Sequence, residues 1–406
     1  MIVKALVRLF SSLRLTVVCL ALAAVLVFVG TMAQVEQGLY AVQAKYFQSF
    51  FVFWELPGTG LRIPVFPGGY LIGGVLVINL LVAYGVRFGL KRLRPGLILI
   101  HSGLVLLLLG QLWTDLSQQE SVMQLAEGQT KSYSESQRRT ELAIIDPSHS
   151  DHDHVVAIPE AHLRTGAEMR HPQLPFAIKV LRFWANSAPI RGHTNTVADP
   201  FAERPPVTTT DSRNVPAAQI ELIGTQGSLG KRWVSEWFME PETLEHDGKR
   251  YQLALRLARY YKPFAITLLE ARHDKYKGTE IPRNFSSRVR LRLAGTTEDR
   301  ETLIYMNNPL RYGGFTFYQY QMAADEALRR QGQRATSTLQ VVRNPGWLVP
   351  YIACILVGLG LTWQFTTHLL GFVRQRSRRA PSPAASSPAL PTERRARRPR
   401  ELAPTP

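Results

Sequence analysis

Arg87-Phe-Gly-Leu-Lys91-Arg92-Leu-Arg94-Pro-Gly-Leu-Ile-Leu-Ile-His101-Ser-Gly-Leu-Val-Leu-Leu-Leu-Leu-Gly110 sets four cations, with no anion among them, against an apolar run that reaches Trp113. The run is long enough to cross the ~30 Å hydrocarbon layer of a bilayer as a helix. Cations crowd the cytoplasmic side of such spans, so the stretch 87–95 reads as a short cytoplasmic loop and 96–113 as a span leading outward. Three other apolar runs share this character: 15–33, 69–86 and 347–367. The first follows Lys4, Arg8 and Arg14. Its length favours a retained anchor over a signal peptide, although Thr31-Met-Ala33 is a passable cleavage site.

Four spans place both termini on one side, and both are basic. The tail from Arg374 carries +7 of the chain's +17 formal charge. The expected order is a cytoplasmic N-terminus (1–14), an outer loop (34–68), the basic loop, a large outer domain (114–346) and a basic cytoplasmic tail (368–406). The Pro/Ala/Ser/Arg composition of that tail predicts disorder. No arginine stripe interleaved with aromatics and no nucleic-acid module appears. The basic excess therefore reads as membrane topology and contact with anionic lipid. The two cysteines, Cys19 and Cys354, both lie in apolar runs, so the chain carries no disulfide framework and no C-x-x-C pair.

Residues 114–346 contain short alternating runs punctuated by Gly, Pro, Asn and Asp. Examples are Glu141–Ile145, Phe176–Leu181, Gln219–Ile223, Tyr251–Leu257, Ala265–Leu269, Arg288–Leu293, Phe315–Tyr320 and Thr338–Val342. Period-two patterning with β-branched and aromatic enrichment predicts strands, in one or two sandwich-like layers. Segment 186–216 is expected to form a long surface loop, and Tyr312-Gly-Gly-Phe315 a tight hairpin turn.

His101 is the most informative residue. An imidazole inside an apolar span is costly unless it is paired or ligating. It lies seven residues past Arg94, ~10 Å into the membrane by helical rise. One reading is an axial ligand to a haem iron; the other is a packing histidine bonded to a neighbouring carbonyl, helped by Ser102 and Gly103. His368 falls near the cytoplasmic end of the fourth span, at a depth expected to match His101. It reads either as a second axial ligand or as an ordinary interfacial side chain among Gln364, Thr366 and Thr367. His149-Ser-Asp-His152-Asp-His154 has metal-patch composition but reads as a hydrated loop. Gly224-Thr-Gln-Gly-Ser-Leu-Gly230-Lys231-Arg232 lacks the residues of a phosphate loop. No carboxylate pair or nucleophile motif supports an enzyme acting alone.

Several segments resemble the ResB (CcsB) family of cytochrome c biogenesis proteins. They are Leu9-Phe-Ser-Ser-Leu-Arg14, Gly30-Thr31 with Gln34, Asn79-Leu-Leu, His101 to Gly110, Glu120-Ser-Val-Met123 through Gly128, Asn284-Phe-Ser-Ser287 and Asn307-Asn-Pro-Leu310-Arg-Tyr-Gly-Gly-Phe-Thr-Phe-Tyr318-Gln319. The resemblance spans about residues 8 to 370. It implies a multi-pass subunit of the cytoplasmic membrane, with three spans, a β-rich outer domain and a fourth span. The implied role is delivery of haem and its covalent attachment to apocytochrome c outside the cytoplasm. His101 would be a transmembrane ligand to haem in transit. The implied partners are a CcsA-type, tryptophan-rich haem-handling protein, apocytochrome c and a thioredoxin-like thiol reductase. Seven scattered tryptophans and no tryptophan-rich segment make this chain the partner-dependent half. The competing reading, from a different class, is a non-haem envelope scaffold or sensor whose outer β-domain binds a ligand and whose His101 only packs.

Overall fold

The computed structural model describes residues 1–88, 95–150, 152–190, 200–207, 213–279, 281–324 and 332–379. Lys91, Arg92, Arg94 and the tail expected to be disordered, from residue 380 onward, lie outside that range. A short amphipathic helix α1 (Ile2–Phe10) leads into α2 (Leu13–Gln37), then α3 (Leu39–Val42) and a π-helical turn at Gln43–Phe47. A hairpin of β1 (Phe51–Glu55) and β2 (Arg62–Pro67) precedes α4 (Gly69–Phe88) and α5 (Pro95–Ser117). After the β-domain the chain closes with α6 (Val349–Arg379). Among the described residues, α2, α4, α5 and α6 are long and apolar enough to cross a membrane.

The start of α2 is fixed by one buried amide. Asn79, 2% exposed in α4, donates through Nδ2 to the carbonyls of Phe10 (2.6 Å) and Ser12 (3.1 Å). Its Oδ1 accepts the Thr16 hydroxyl at 2.6 Å. The Phe10 carbonyl lies where α1 ends and the chain turns into α2, and the amide donates to it and, beside the Thr16 N–H, to the Ser12 carbonyl.

The helix α6 runs past the expected limit at 367 to Arg379. Its polar residues do not break it: Thr362 and Thr367 return their hydroxyls to the carbonyls of Gly358 and Trp363 at 2.9 and 3.0 Å. The next helix-breaking residue is Pro381. Polarity marks where the run stops being apolar, not where it stops being helical.

The β-domain begins with β3 (Gln119–Ala126), β4 (Thr130–Asp146), β5 (His154–Pro159), β6 (Glu168–Met169), β7 (Ala177–Trp184), β8 (Ser187–Pro189) and β9 (Phe201–Glu203). It continues with β10 (Ala217–Gly224), β11 (Gly227–Ser235), β12 (Glu242–His246), β13 (Lys249–Lys275) and β14 (Pro282–Leu293). The last strands are β15 (Asp299–Tyr305), β16 (Leu310–Tyr312), β17 (Phe315–Ala323) and β18 (Thr336–Arg343). A ten-stranded sheet runs in the order β15-β14-β13-β4-β3-β18-β17-β16, with β12 and β5 paired on β13 and β4. A four-stranded sheet, β11-β10-β7-β6, stands separately.

Two cores result. One lies under the smaller sheet, where Val180, Ile220 and Leu222 meet Leu142, Leu253 and Leu255. The other lies inside the larger sheet, where Met123, Leu125, Ile266, Val289, Leu291, Phe317 and Leu339 converge. The single strand β13 serves both. The two runs expected as separate strands, Tyr251–Leu257 and Ala265–Leu269, belong to it. Its register against β4 slips between Tyr261 and Ile266, where Pro263 has no N–H to give the ladder. Before that slip the inward residues face the first core, and after it the second. On the outward face Arg288, Arg290 and Arg292 pair across strands with Glu270, Glu301 and Asp299; such exposed pairs contribute little stability.

Segment 186–216 is partly structured, unlike the loop expected. Ser187–Pro189 and Phe201–Glu203 pair as β8 and β9, pinned by Phe201 against Trp233 and Phe238; residues 191–199 and 208–212 lie outside the described range. The Gly-Gly turn at 313–314 is as expected: both glycines hold positive φ (57° and 79°) and Tyr312 faces Phe315 across a two-residue loop. The segment resembling a phosphate loop is the turn of the β10–β11 hairpin, with no helix after it to cradle an anion.

At the helix-proximal end of the domain sits a buried lysine. Lys262 is 6% exposed and donates to Ser134 Oγ (2.6 Å) and the Tyr260 carbonyl (3.0 Å). Ser134 Oγ lies 2.8 Å from Ser121 Oγ, which donates in turn to the Val341 carbonyl at 3.3 Å. This chain of hydroxyls ties β13, β4, β3 and β18 together. Burial pushes the Lys262 ammonium down to about 8. The free amine in an unfolded chain titrates near ~10.4, so between those values the unfolded state binds more protons and stability rises with pH. The burial penalty is complete below pH 8 and disappears above the unfolded value. In thermal melts of the full chain, wild type should gain a few degrees from pH 8 to pH 10 relative to Lys262→Met. The variant should be the more stable of the two at pH 7. Parallel pH profiles for the two proteins would contradict this.

Candidate functional site

The helix α5 presents two faces with different tasks. Gly96, Gly103 and Gly110 recur every seven residues, which keeps them on one stripe of the helix. That stripe meets α6 at backbone distance. A Cβ on Gly96 would lie 2.9 Å from the Gly360 carbonyl, and one on Gly103 would lie 2.8 Å from the Ala353 carbonyl and 2.7 Å from Val357 Cγ2. A Cβ on Gly110 would collide with Val349. Small residues that let two backbones approach are the usual cement of helices in lipid.

His101 is two residues before Gly103, so it projects ~200° around the helix from the seam, away from α6. Its ring faces α4, with the Tyr84 ring centroid 6.3 Å away and tilted by 37°. His101 Nδ1 lies 2.7 Å from the Leu97 carbonyl oxygen one turn back. A carbonyl only accepts, so Nδ1 carries the proton and the basic lone pair of the neutral ring is on Nε2. A backbone carbonyl that holds one ring nitrogen fixes the orientation of an imidazole, as it does in metal-ligating histidines. The donor chemistry and tautomer fit an axial iron ligand.

His368 is exposed and its Nε2 lies 2.7 Å from Gln364 Nε2, so the amide donates to the ring. It lines a shallow cleft with Pro95, Trp363, Thr367 and Phe372. The antiparallel register settles relative height. Gly96 sits beside Gly360 and Gln364, and Gly103 beside Ala353 and Val357, so His101 is level with the turn from Val357 to Gly360. His368 is eight to eleven residues beyond that turn, or ~12–16 Å by helical rise. The expectation that both histidines share a depth fails, because the helix continues past 367 and carries His368 beyond the first residue of α5. The structure does not bring the two together.

The remaining expectations are smaller. The rings of His149 and His152 stack at 4.8 Å, and among the described residues no three His, Cys, Asp or Glu side chains form a metal group. Cys19 and Cys354 are both free thiols in apolar helices.

Three of the segments that carry the family resemblance converge on the larger core. Ser287 of β14 donates to Gln319 Oε1 of β17 at 2.7 Å and lies 2.7 Å from Ser337 Oγ of β18. Glu127, after β3, accepts the Ala271 N–H at 2.9 Å. Phe264 stacks edge-on against Tyr312, Phe315 and Phe317, with centroids at 4.9, 6.2 and 6.1 Å. Residues 225–334, which run from the start of β11 to just short of β18, match the model of the ResB-like family. Over that stretch of the β-domain, the chain is similar to the ResB-like family. One curated relative, Protein NrfI of Wolinella succinogenes, is 29% identical over 146 residues, covering 36% of this chain and 15% of the relative. The chain thus spans a small part of the length of that protein. Four helices long and apolar enough to cross a membrane, together with this match, point to a membrane protein.

Sequence reasoning found His101 but missed its neighbour Tyr84 and the glycine seam that aims it. The seven-residue spacing of Gly96, Gly103 and Gly110 was the available signal. Lys262 was also legible in part, since it shares inward parity with Phe264, Ile266 and Leu268.

Proposed function

We propose that this chain is a membrane subunit of a cytochrome c biogenesis assembly, and that His101 ligates haem iron as haem passes outward. In this reading α2, α4, α5 and α6 cross the cytoplasmic membrane, three before the β-domain and one after it. The basic segments at the N-terminus, at 87–95 and in the tail stay in the cytoplasm and rest on anionic lipid. The domain between α5 and α6 faces outward. The observation that carries the proposal is the orientation of His101: an imidazole in an apolar helix, held through Nδ1 by Leu97 and turned away from the α5–α6 seam.

Haem is cargo here, and this chain binds and orients it without forming a bond to carbon. Covalent attachment requires two reduced thiols, which apocytochrome c supplies and a thioredoxin-like reductase maintains. The chain's own cysteines, both in apolar helices, have no part in that step. With His368 at another height, the second axial ligand comes from a CcsA-type, tryptophan-rich partner. The β-domain, with its two packed cores, serves docking of partner and apocytochrome. The subunit is non-catalytic or co-catalytic.

The test is spectroscopic. Purified with a co-expressed CcsA-type partner, the wild-type complex should show a Soret band. His101→Gly should lose most of it and regain it on addition of imidazole, and His368→Ala should leave it unchanged. A Soret band indifferent to His101, or no haem in the intact complex, would overturn the assignment.

A further inference from the structure

The hairpin β1–β2 exposes far more apolar surface than a two-stranded ribbon in water can sustain. Phe50, Phe51, Phe53, Trp54, Leu61 and Val65 are between 45% and 61% exposed, whereas Val52 alone is buried among Val42, Tyr46 and Ile72. The pairing Phe53↔Pro64 and Trp54↔Ile63 puts apolar side chains on both faces of the ribbon. A lone hairpin of this size is marginal in water at best. Its polar groups gather at the tip, where Arg62 pairs with Glu55 at 2.7 Å, and at the base, where Lys45 lies in the same cleft as Phe50, Phe53 and Trp54.

The height of the hairpin is fixed by its base. Gln48 Nε2 donates to Asp115 Oδ1 at 2.6 Å, and the Tyr70 hydroxyl donates to the same carboxylate. Asp115 is two residues beyond Trp113 on α5, and Gly110 packs against Val349 near the start of α6. Trp113, Trp347 and Tyr351 are therefore grouped at one end of the α5–α6 pair, and all are about half exposed. Such a ring of aromatics marks the boundary between hydrocarbon and water. The hairpin springs from this level.

We propose that β1–β2 lies in the outer headgroup layer as a membrane-surface anchor, with phospholipid as its occupant. Two observations choose lipid over a protein partner. Both faces of the ribbon are apolar, and a fluid environment can wrap both where one docked surface covers a single face. The exposed aromatics also continue the belt formed by Trp113, Trp347 and Tyr351. Depth is bounded too: the outer edges of a two-stranded ribbon carry unpaired backbone groups that hydrocarbon would not satisfy. The headgroup region supplies both water and apolar contact. Lys45 and Arg62 then sit among headgroup phosphates. The anchor pins the outer end of α4 beside α5, on the side of α5 that carries His101.

The test uses the full chain alone in phosphatidylcholine nanodiscs. Trp54 emission is obtained as the difference between wild type and Trp54→Phe, with Trp363→Phe giving the same difference for a residue within α6. Trp54 emission should be quenched severalfold more by lipid brominated near the carbonyls than by aqueous iodide, and less by lipid brominated deep in the chain. Stronger quenching by iodide would place the hairpin in water and overturn the proposal. Protection from both quenchers would mean contact with protein, such as a second copy, and would also overturn it. Loss of lipid quenching at Trp363 as well would remove the membrane reading on which the proposal stands.

Discussion

A Gly103→Leu variant should separate α5 from α6 and lose the folded helical unit at temperatures where wild type persists. The position offers no room: the first added carbon already falls 2.8 Å from the Ala353 carbonyl, and backbone cannot rotate away as a side chain can. Either the helices part along the whole seam, opening Gly96 and Gly110 as well, or α6 rotates and buries side chains that are now exposed. Overpacking of a tight contact costs about 1–3 kcal/mol, and here three contacts share one rigid interface. The measurement is thermal unfolding in detergent, with a disulfide introduced across the seam as a proximity reporter. Gly73→Ala and Gly74→Ala are the controls, because nothing lies within 4 Å of a Cβ at either position. Equal melting of Gly103→Leu and wild type would show that the seam is not tight.

The second large effect is expected at Phe264. This ring follows Pro263 at the bend of β13, is 2% exposed, and packs edge-on against Tyr312, Phe315 and Phe317. Truncating a buried aromatic costs about 3–5 kcal/mol, a large part of the ~5–15 kcal/mol that holds a typical domain folded. Phe264→Ala should therefore expose the larger core. Limited proteolysis should cut the β-domain early while the helices α5 and α6 stay protected. Phe264→Leu, which keeps most of the apolar volume, should recover most of the resistance. A domain as resistant as wild type after the alanine change would contradict the central place given to this ring.

These two positions also show what a sequence reveals and what it hides. Hydropathy and charge are local properties summed over a run, so the four apolar helices were legible. Alternation likewise revealed the strands from Glu141–Ile145 to Thr338–Val342, and Gly313-Gly314 announced its own turn. Continuity was harder. The runs Tyr251–Leu257 and Ala265–Leu269 read as two strands, yet they are one, with a register slip between Tyr261 and Ile266 in place of a break. The hairpin of residues 51–67 was missed because its exposed aromatics and prolines do not alternate. At the candidate site the imidazole was visible as an anomaly in an apolar run. Its direction follows from the face of α5 that packs on α6; the spacing of the glycines signals that face, but the partner helix shows only in the fold. The height of His368 depended on helix-to-helix register, which no single segment encodes.

The strands that begin and end the β-domain are hydrogen-bonded neighbours, from Gln119↔Arg343 to Ala126↔Thr336. They follow and precede helices that are themselves in contact along the glycine seam. The chain thus leaves α5 and returns to α6 at almost one point, so in topology the domain sits as an insert in a simple helical hairpin. Such an arrangement tolerates exchange of the inserted part. The β-domain can be enlarged, replaced or lost between Ser117 and Asn344 without rerouting a helix.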